Sequence, residues 1–217
     1  MKENLTALKN IPTLPELKSI LPGVRSFLFD MDGTLFNTEK YHALAMILIG
    51  QKYHIIPPHS EQDVHALMMG KADYLVFDLI KDWPGVPKTW TVDDFVTEKN
   101  KNLLKILEET NPQDFFPQAS LRLLQKIKNA GYFLGLVTSS EEIVTNALLK
   151  LAGIEDLFEI KLTRDNCPKH KPDPWPYLRA IELSGKSVGE TLIFEDSDIG
   201  IRAALGAHAH VIKVEWL

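Results

Sequence analysis

A single cysteine, Cys167, stands in the whole chain, so no internal disulfide forms and a cysteine-built zinc site is excluded. It lies in a polar stretch before Pro168 with no partner implied, and it is not read as a nucleophile. Long apolar runs are missing as well, and none approaches the length that spans a membrane. Met1-Lys2-Glu3-Asn4 lacks the apolar stretch of a secretion signal, so a cytoplasmic protein is expected. Positive charge is not in excess either. Against 24 lysines and arginines stand 29 acids, a formal charge of −5, and the densest basic spot is the short Lys169-His170-Lys171. No nucleic-acid footprint follows from that balance. The four tryptophans are scattered, so no base-stacking platform is laid out, and internal repeats are absent. What remains is the composition of a soluble globular protein, 45% hydrophobic and 24% charged. At 217 residues it is long enough for one large domain or for a core with an insertion.

The most informative stretch is Phe27-Leu28-Phe29-Asp30-Met31-Asp32-Gly33-Thr34. The apolar segment Val24 to Phe29 reads as a buried strand, and Gly33 marks the turn that leaves it. Two aspartates two positions apart at a strand end repel each other unless a cation lies between them. The pair therefore points to a metal site, to a nucleophile with a proton carrier, or to both.

Strand and helix signals alternate through the rest of the chain, with one interruption. Residues 1–23 read as a peripheral extension with helical turns over Leu14 to Ile20. From Glu39 the pattern is helical: Tyr41, Leu44, Ala45, Ile47, Leu48 and Tyr53 recur at three- and four-residue spacing. Helices over Glu61 to Met69, Ala72 to Lys81 and Thr91 to Glu109 are expected to follow, with no convincing strand. After Pro112 and Pro117 come a helix at Ser120 to Ala130, a strand at Tyr132 to Val137 and a helix at Glu141 to Leu151. A strand at Phe158 to Leu162, a helix at Trp175 to Leu183 and a strand at Thr191 to Phe194 come next. A helix at Ile199 to Leu205 and a strand at His208 to Val214 close the chain. This pattern predicts an α/β fold, a doubly wound parallel sheet with an inserted all-helical domain. The core is expected over 1–37 and 113–217 and the helical insertion over 38–112.

Three predicted strands end in polar groups: Asp30 and Asp32, Thr138 and Ser139, Glu195 and Asp196. In a parallel sheet all three ends share one edge. Lys171, in the loop Lys171-Pro172-Asp173-Pro174 before a helix, joins them. Clustered carboxylates call for a cation, and Mg²⁺ suits an all-oxygen site that also holds phosphate oxygens. A hydroxyl, a lysine and backbone N–H groups suit an anion. Singly, Thr138 reads equally well as a helix cap, Lys171 as a solvated loop residue and Glu195-Asp196-Ser197 as a capping run. Together they describe a phosphate site beside a magnesium ion.

The chain resembles the haloacid dehalogenase superfamily, in its group with a small helical cap after the first strand. The resemblance rests on Asp30-Met31-Asp32-Gly33-Thr34, Thr138, Lys171-Pro172, and Glu195-Asp196-Ser197 with Gly200-Ile201, in that order over residues 24–214. It implies a phosphate-ester hydrolase with Asp30 as nucleophile and Asp32 as acid and then base. It also implies Mg²⁺ held by the Asp30 carboxylate, the Asp32 carbonyl and Asp196, with Glu195 a further ligand. Gly33, Thr34, Thr138 and the Ser139 N–H would bind the phosphoryl group, and Lys171 would neutralise its charge. The cap residues His42 and Lys71, with Met68, Met69 and Tyr74, are expected to meet the leaving group. The implied substrate is a small phosphate ester, a sugar phosphate or nucleotide-derived monophosphate, with no nucleic-acid or membrane partner; the oligomeric state stays open.

Asp32 favours phosphate-ester chemistry over carbon–halogen cleavage within that resemblance. β-Phosphoglucomutase shares the helical cap and is the competing reading; Thr38 and His42 match residues that follow its first motif. The mutase resemblance calls for a basic residue at Met69 and an arginine near Asp73, and neither is present. A phosphatase is therefore expected, ahead of a mutase and of a non-catalytic phosphometabolite-binding protein.

Overall fold

The computed structural model describes residues 5–58 and 73–215. The chain divides into two compact units: one runs to Asn37 and resumes at Pro112, and the other is Thr38–Asn111.

The first unit is built on a six-stranded sheet. Its strands are β1 (Leu5–Leu8), β2 (Ser26–Phe29), β3 (Phe133–Val137), β4 (Ile160–Leu162), β5 (Thr191–Glu195) and β6 (His210–Val214), in spatial order β1-β6-β5-β2-β3-β4. All five pairings are parallel. Parallel neighbours need long crossovers, and helices supply them. They are α1 (Leu14–Ile20), α5 (Gln118–Asn129), α6 (Glu142–Ala152), α7 (Trp175–Ser184) and α8 (Asp198–Gly206). Phe27, Leu28 and Phe29 are wholly buried, as a central strand covered on both faces requires. The chain leaves β2 toward β3 and β4 on one side and returns to β5 and β6 on the other. The carboxyl ends around β2 therefore form a switch point, where open α/β sheets bind ligands. Phe29 pairs with Phe194, and their rings stack with centroids 4.3 Å apart, so the next residues, Asp30 and Glu195, emerge side by side.

Two features differ from the sequence reading. Residues 5–8, expected in a peripheral extension, form β1 on the edge of the sheet against β6. Three of its four side chains are exposed, so it has no apolar alternation to betray it. His208, expected on the last strand with His210, sits before β6 in a left-handed turn, at φ 60°. The helical turns at Leu14–Ile20 are present, held by a Thr13–Glu16 capping box. Gly131 and Gly153, at φ 73° and 66°, follow α5 and α6 as helix terminators.

The second unit is helical among its described residues: α2 (Glu39–Tyr53), α3 (Asp73–Ile80) and α4 (Val92–Glu108). Ile49, Val76, Phe77, Ile80, Val86, Phe95 and Val96 form its core. Thr91 caps α4, and its hydroxyl and N–H bond the Asp94 carboxylate. Lys99 is buried against Asp73 in an ion pair. The helix expected over 61–69 lies outside the described residues.

Candidate active site

Asp30 leaves the end of β2 with its carboxylate buried. The ammonium of Lys171, from the loop before α7, donates to Asp30 Oδ1 at 2.6 Å, to the Val137 carbonyl at 2.9 Å and to Glu195 Oε1. An ammonium has three hydrogens, and all three are used. Glu195 Oε1 also accepts the Tyr177 phenol at 2.6 Å, and Lys171 lies 5.0 Å from the centre of the Tyr177 ring. Burial works against the Lys171 charge, but Asp30 and Glu195 outweigh it and hold the ammonium well above its ordinary range. Burial, then the Glu195 charge, pushes the Tyr177 phenol up, which keeps its proton in place as a donor.

Asp196 follows β5, and its Oδ1 accepts the Thr34 hydroxyl at 3.0 Å. Ser197 accepts the Gly200 N–H and caps α8, so the capping reading holds for Ser197 while its two acidic neighbours serve the cluster. Two glycines let the backbone close on these acids. Gly33 has φ 79°, and a Cβ there would run into the Asp196 carboxylate; a Cβ on Gly200 would run into that of Glu195. Gly33→Ala is therefore expected to cost more than about 1 kcal/mol of stability, since it combines left-handed strain with displacement of Asp196. Denaturant unfolding checks this, and a variant as stable as the parent would contradict the close approach.

Oxygens of Asp30, Glu195 and Asp196 lie within 4.8 Å of one another. Three carboxylates against one ammonium leave an excess of negative charge in a buried site. Burial, followed by the Glu195 charge, pushes the Asp196 carboxyl up to about 6. Burial also pushes Asp30 up, opposed by Lys171. These shifts have the sign of a site short of positive charge, and an all-oxygen donor set of this kind fits Mg²⁺. An acid with a raised pKa binds its proton more tightly when folded. Its stabilising contribution is complete below the ordinary aspartate range and is lost as pH rises through about 6. Mg²⁺ held by these acids would compete with that proton, so a rise in Tm on adding Mg²⁺ is expected to grow as pH passes about 6. A thermal-unfolding series with Mg²⁺ or chelator reads this, and a rise independent of pH would contradict it.

Asp32 lies two residues beyond Asp30, half-buried, and its Oδ2 accepts the Ser140 hydroxyl at 2.6 Å. Thr138 does not cap α6. Its Oγ1 accepts the Ser140 N–H at 3.0 Å, which leaves its own hydrogen as a donor, and Ser139 beside it is exposed. The hydroxyl of Thr34, expected at the phosphoryl group, donates to Asp196 Oδ1. His42 is half-buried on α2 of the helical unit, and Lys71 lies outside the described residues. Cys167 lies in the loop before Pro168 but is buried there, and burial pushes its thiol up, as an inert cysteine requires. Asp173 Oδ1 accepts the Trp175 N–H at 2.9 Å just ahead of α7.

Two residues escape a sequence reading. Tyr177 looks like an ordinary apolar position of α7. Ser140 looks like the last residue of a polar turn, and the run Thr138-Ser139-Ser140 is its only signal.

A family profile described as haloacid dehalogenase-like hydrolase matches residues 27–214. Among curated relatives, the β-phosphoglucomutase of Bacillus subtilis is 26% identical over 194 residues, 88% of this chain and 83% of that protein. The pyrophosphatase PpaX of Bacillus velezensis is 26% identical over 198 residues, 89% and 84% of the two chains. Among solved structures, CbbY from Rhodobacter sphaeroides in complex with phosphate superposes with a TM-score of 0.76 at 22% identity, covering 88% of this chain and 85% of that one.

Proposed function

Because the chain belongs to the haloacid dehalogenase-like hydrolases, we propose that it is a Mg²⁺-dependent phosphatase acting on a small phosphate monoester, with Asp30 as nucleophile. The observation that carries this reading is the buried Asp30 carboxylate, bonded to Lys171 beside Asp196 and Glu195, with Asp32 two residues on. An Asp30 oxygen attacks phosphorus, and the bond from phosphorus to the leaving oxygen breaks as Asp32 gives that oxygen its proton. Water then attacks the phosphoryl-aspartate, Asp32 takes its proton, and the Asp30–phosphorus bond breaks to release phosphate. Lys171, the Thr138 hydroxyl and the Ser139 N–H compensate phosphoryl charge, which is most of what phosphoryl transfer asks of a protein. The Asp30 carboxylate, the Asp32 carbonyl and Asp196 would hold Mg²⁺, with Glu195 Oε2 a further ligand, and the ion would offset charge on the transferring group. Glu195 Oε1 is already given to Lys171 and Tyr177. Thr34 serves by orienting Asp196.

We assign the choice of leaving group to the helical unit of residues 38–112, with His42 and Lys71 as its polar candidates. A mutase is the second reading, and the β-phosphoglucomutase relative favours it. Against it, Asp73 stands where an arginine would be wanted, and its carboxylate pairs with Lys99. Incubation with Mg²⁺ and a panel of sugar phosphates, nucleotide monophosphates, phosphoglycolate and pyrophosphate, following inorganic phosphate, tests the choice. Phosphate release that stops on chelation supports the phosphatase. Interconversion of β-glucose 1-phosphate and glucose 6-phosphate without net release would replace it with the mutase.

A further inference from the structure

We propose that Tyr177 is a positioning residue whose phenol, by holding Glu195, keeps Lys171 shared with Asp30 and tempers the pull of Glu195 on Mg²⁺. The inference rests on the phosphatase reading, in which Asp30 attacks and Lys171 compensates the phosphoryl charge.

Asp30 and Glu195 compete for one ammonium, since Lys171 donates to Asp30 Oδ1 and to Glu195 Oε1. Glu195 is the deeper of the two, wholly buried where Asp30 keeps 7% of its surface. Low local dielectric strengthens its claim on the cation. Its Oε2 offers little relief, accepting the Ser197 hydroxyl at 3.3 Å, a long and weak contact. A second donor on Oε1 lessens that claim, and the wholly buried Tyr177 supplies it at 2.6 Å. Tyr177 stands in the first turn of α7, directly after the Lys171 loop, so one segment brings both donors to Glu195. Its ring lies 5.0 Å from the ammonium, near enough to favour the charge. Gly200 presses on the same carboxylate, where a Cβ would collide with it, so Glu195 has little room to turn away.

Two consequences follow from one shared acceptor. A hydrogen bond to a carboxylate is strongest while the group keeps its full charge. A cation beside the acids draws on that charge, so the phenol and Mg²⁺ each weaken the other's hold. Linkage then requires that removing the phenol tightens Mg²⁺. The same removal leaves Lys171 as the strong donor to Glu195, and the ammonium shifts toward Glu195 and away from Asp30 and the phosphoryl group. Metal affinity rises while turnover falls. Simple damage to packing would lower both.

Tyr177→Phe keeps the ring and removes only the hydroxyl. In calorimetric titration at one pH and without substrate, this variant is expected to bind Mg²⁺ about 3- to 10-fold more tightly than the parent. That is the scale separating a hydrogen bond to a charged acceptor from one to a neutralised acceptor. The rise in Tm at a given Mg²⁺ concentration is expected to be larger as well. With Mg²⁺ and p-nitrophenyl phosphate both saturating, kcat is expected to fall about 3- to 30-fold. In a Glu195→Gln background the same substitution is expected to change Mg²⁺ affinity by less than about twofold, because an amide has no charge to share. A further measurement uses the unsubstituted protein: the Tyr177 phenol proton, downfield in the NMR spectrum, is expected to move upfield as Mg²⁺ is added. Mg²⁺ affinity that is unchanged or weaker in Tyr177→Phe, an undiminished kcat, an equal shift in the glutamine background, or a phenol proton indifferent to Mg²⁺ would overturn the role. If the parent hydrolyses no phosphate ester, or if Asp30→Asn hydrolyses them as the parent does, the phosphatase reading falls and this inference with it.

Discussion

Asp30→Asn is expected to lower turnover of every phosphate ester the protein accepts by at least about 10⁴-fold, the scale on which removing a nucleophile acts. The substitution keeps the shape of the side chain and an oxygen that can accept from Lys171, so the contact at Oδ1 survives. What disappears is the nucleophile. One buried negative charge disappears as well, and it comes from a cluster in which three carboxylates face one ammonium. The metal-free variant is therefore expected to be at least as stable as the parent, because unpaired buried charge is costly. Loss of activity with undiminished stability marks Asp30 as chemical rather than structural. Steady-state kinetics beside denaturant unfolding in chelator read both quantities. A variant that keeps a tenth of the activity would remove Asp30 from the reaction.

Lys171→Met is expected to reverse that pattern, losing stability and activity together. Lys171 is buried and gives its three hydrogens to Asp30, Val137 and Glu195. Removing it leaves two carboxylates without their shared cation, and breaking a buried pair in this way costs about 3–5 kcal/mol. Turnover is expected to fall by about 10²–10³-fold, the range for losing one preorganised charge at a reacting centre. Mg²⁺ should return part of the lost stability, since a divalent ion brings positive charge to the same acids, but it should not return the rate. Lys171→Arg is expected to fail as well, because a planar guanidinium cannot reach three acceptors arranged around a point charge. Unfolding free energies with and without Mg²⁺ decide the matter. A methionine variant as stable as the parent without metal would mean that the carboxylates do not need this cation.

What could be read from the residues alone is the part of the site in which each group ends an apolar run or starts a helix. Asp30, Thr138, Glu195 and Asp196 announce themselves in this way, and Lys171 does so through its proline-flanked loop. The alternation of strands and helices likewise carries the parallel sheet. What could not be read is set by contacts between distant positions. Ser140 meets Asp32 across 108 residues, and nothing in Thr138-Ser139-Ser140 tells which hydroxyl will do so. Tyr177 sits on a helix face where an aromatic residue packs in the ordinary way, and only the fold brings Glu195, at the end of β5, to its phenol. Thr34 looks fit for phosphate because of its place after Gly33, but the approach of Asp196 claims its hydroxyl. β1 is hidden for the opposite reason. It is a short edge strand whose side chains mostly face solvent, so its place comes from backbone pairing with β6 and leaves little trace in hydrophobic pattern.

The central claim is that Asp30 carries the phosphoryl group between substrate and water. Its most direct test is to mix the Asp32→Asn protein and Mg²⁺ with an activated aryl phosphate, quench in acid and map the peptides by mass spectrometry. Asp32→Asn slows the water step, for lack of a base, more than it slows attack on an ester whose leaving group needs no proton. One phosphoryl group is expected on the peptide containing Asp30, lost on treatment with hydroxylamine and absent when Asp30 is also changed to Asn. Release of the phenol with no phosphoryl group on Asp30, or with the label on another residue, would contradict the claim.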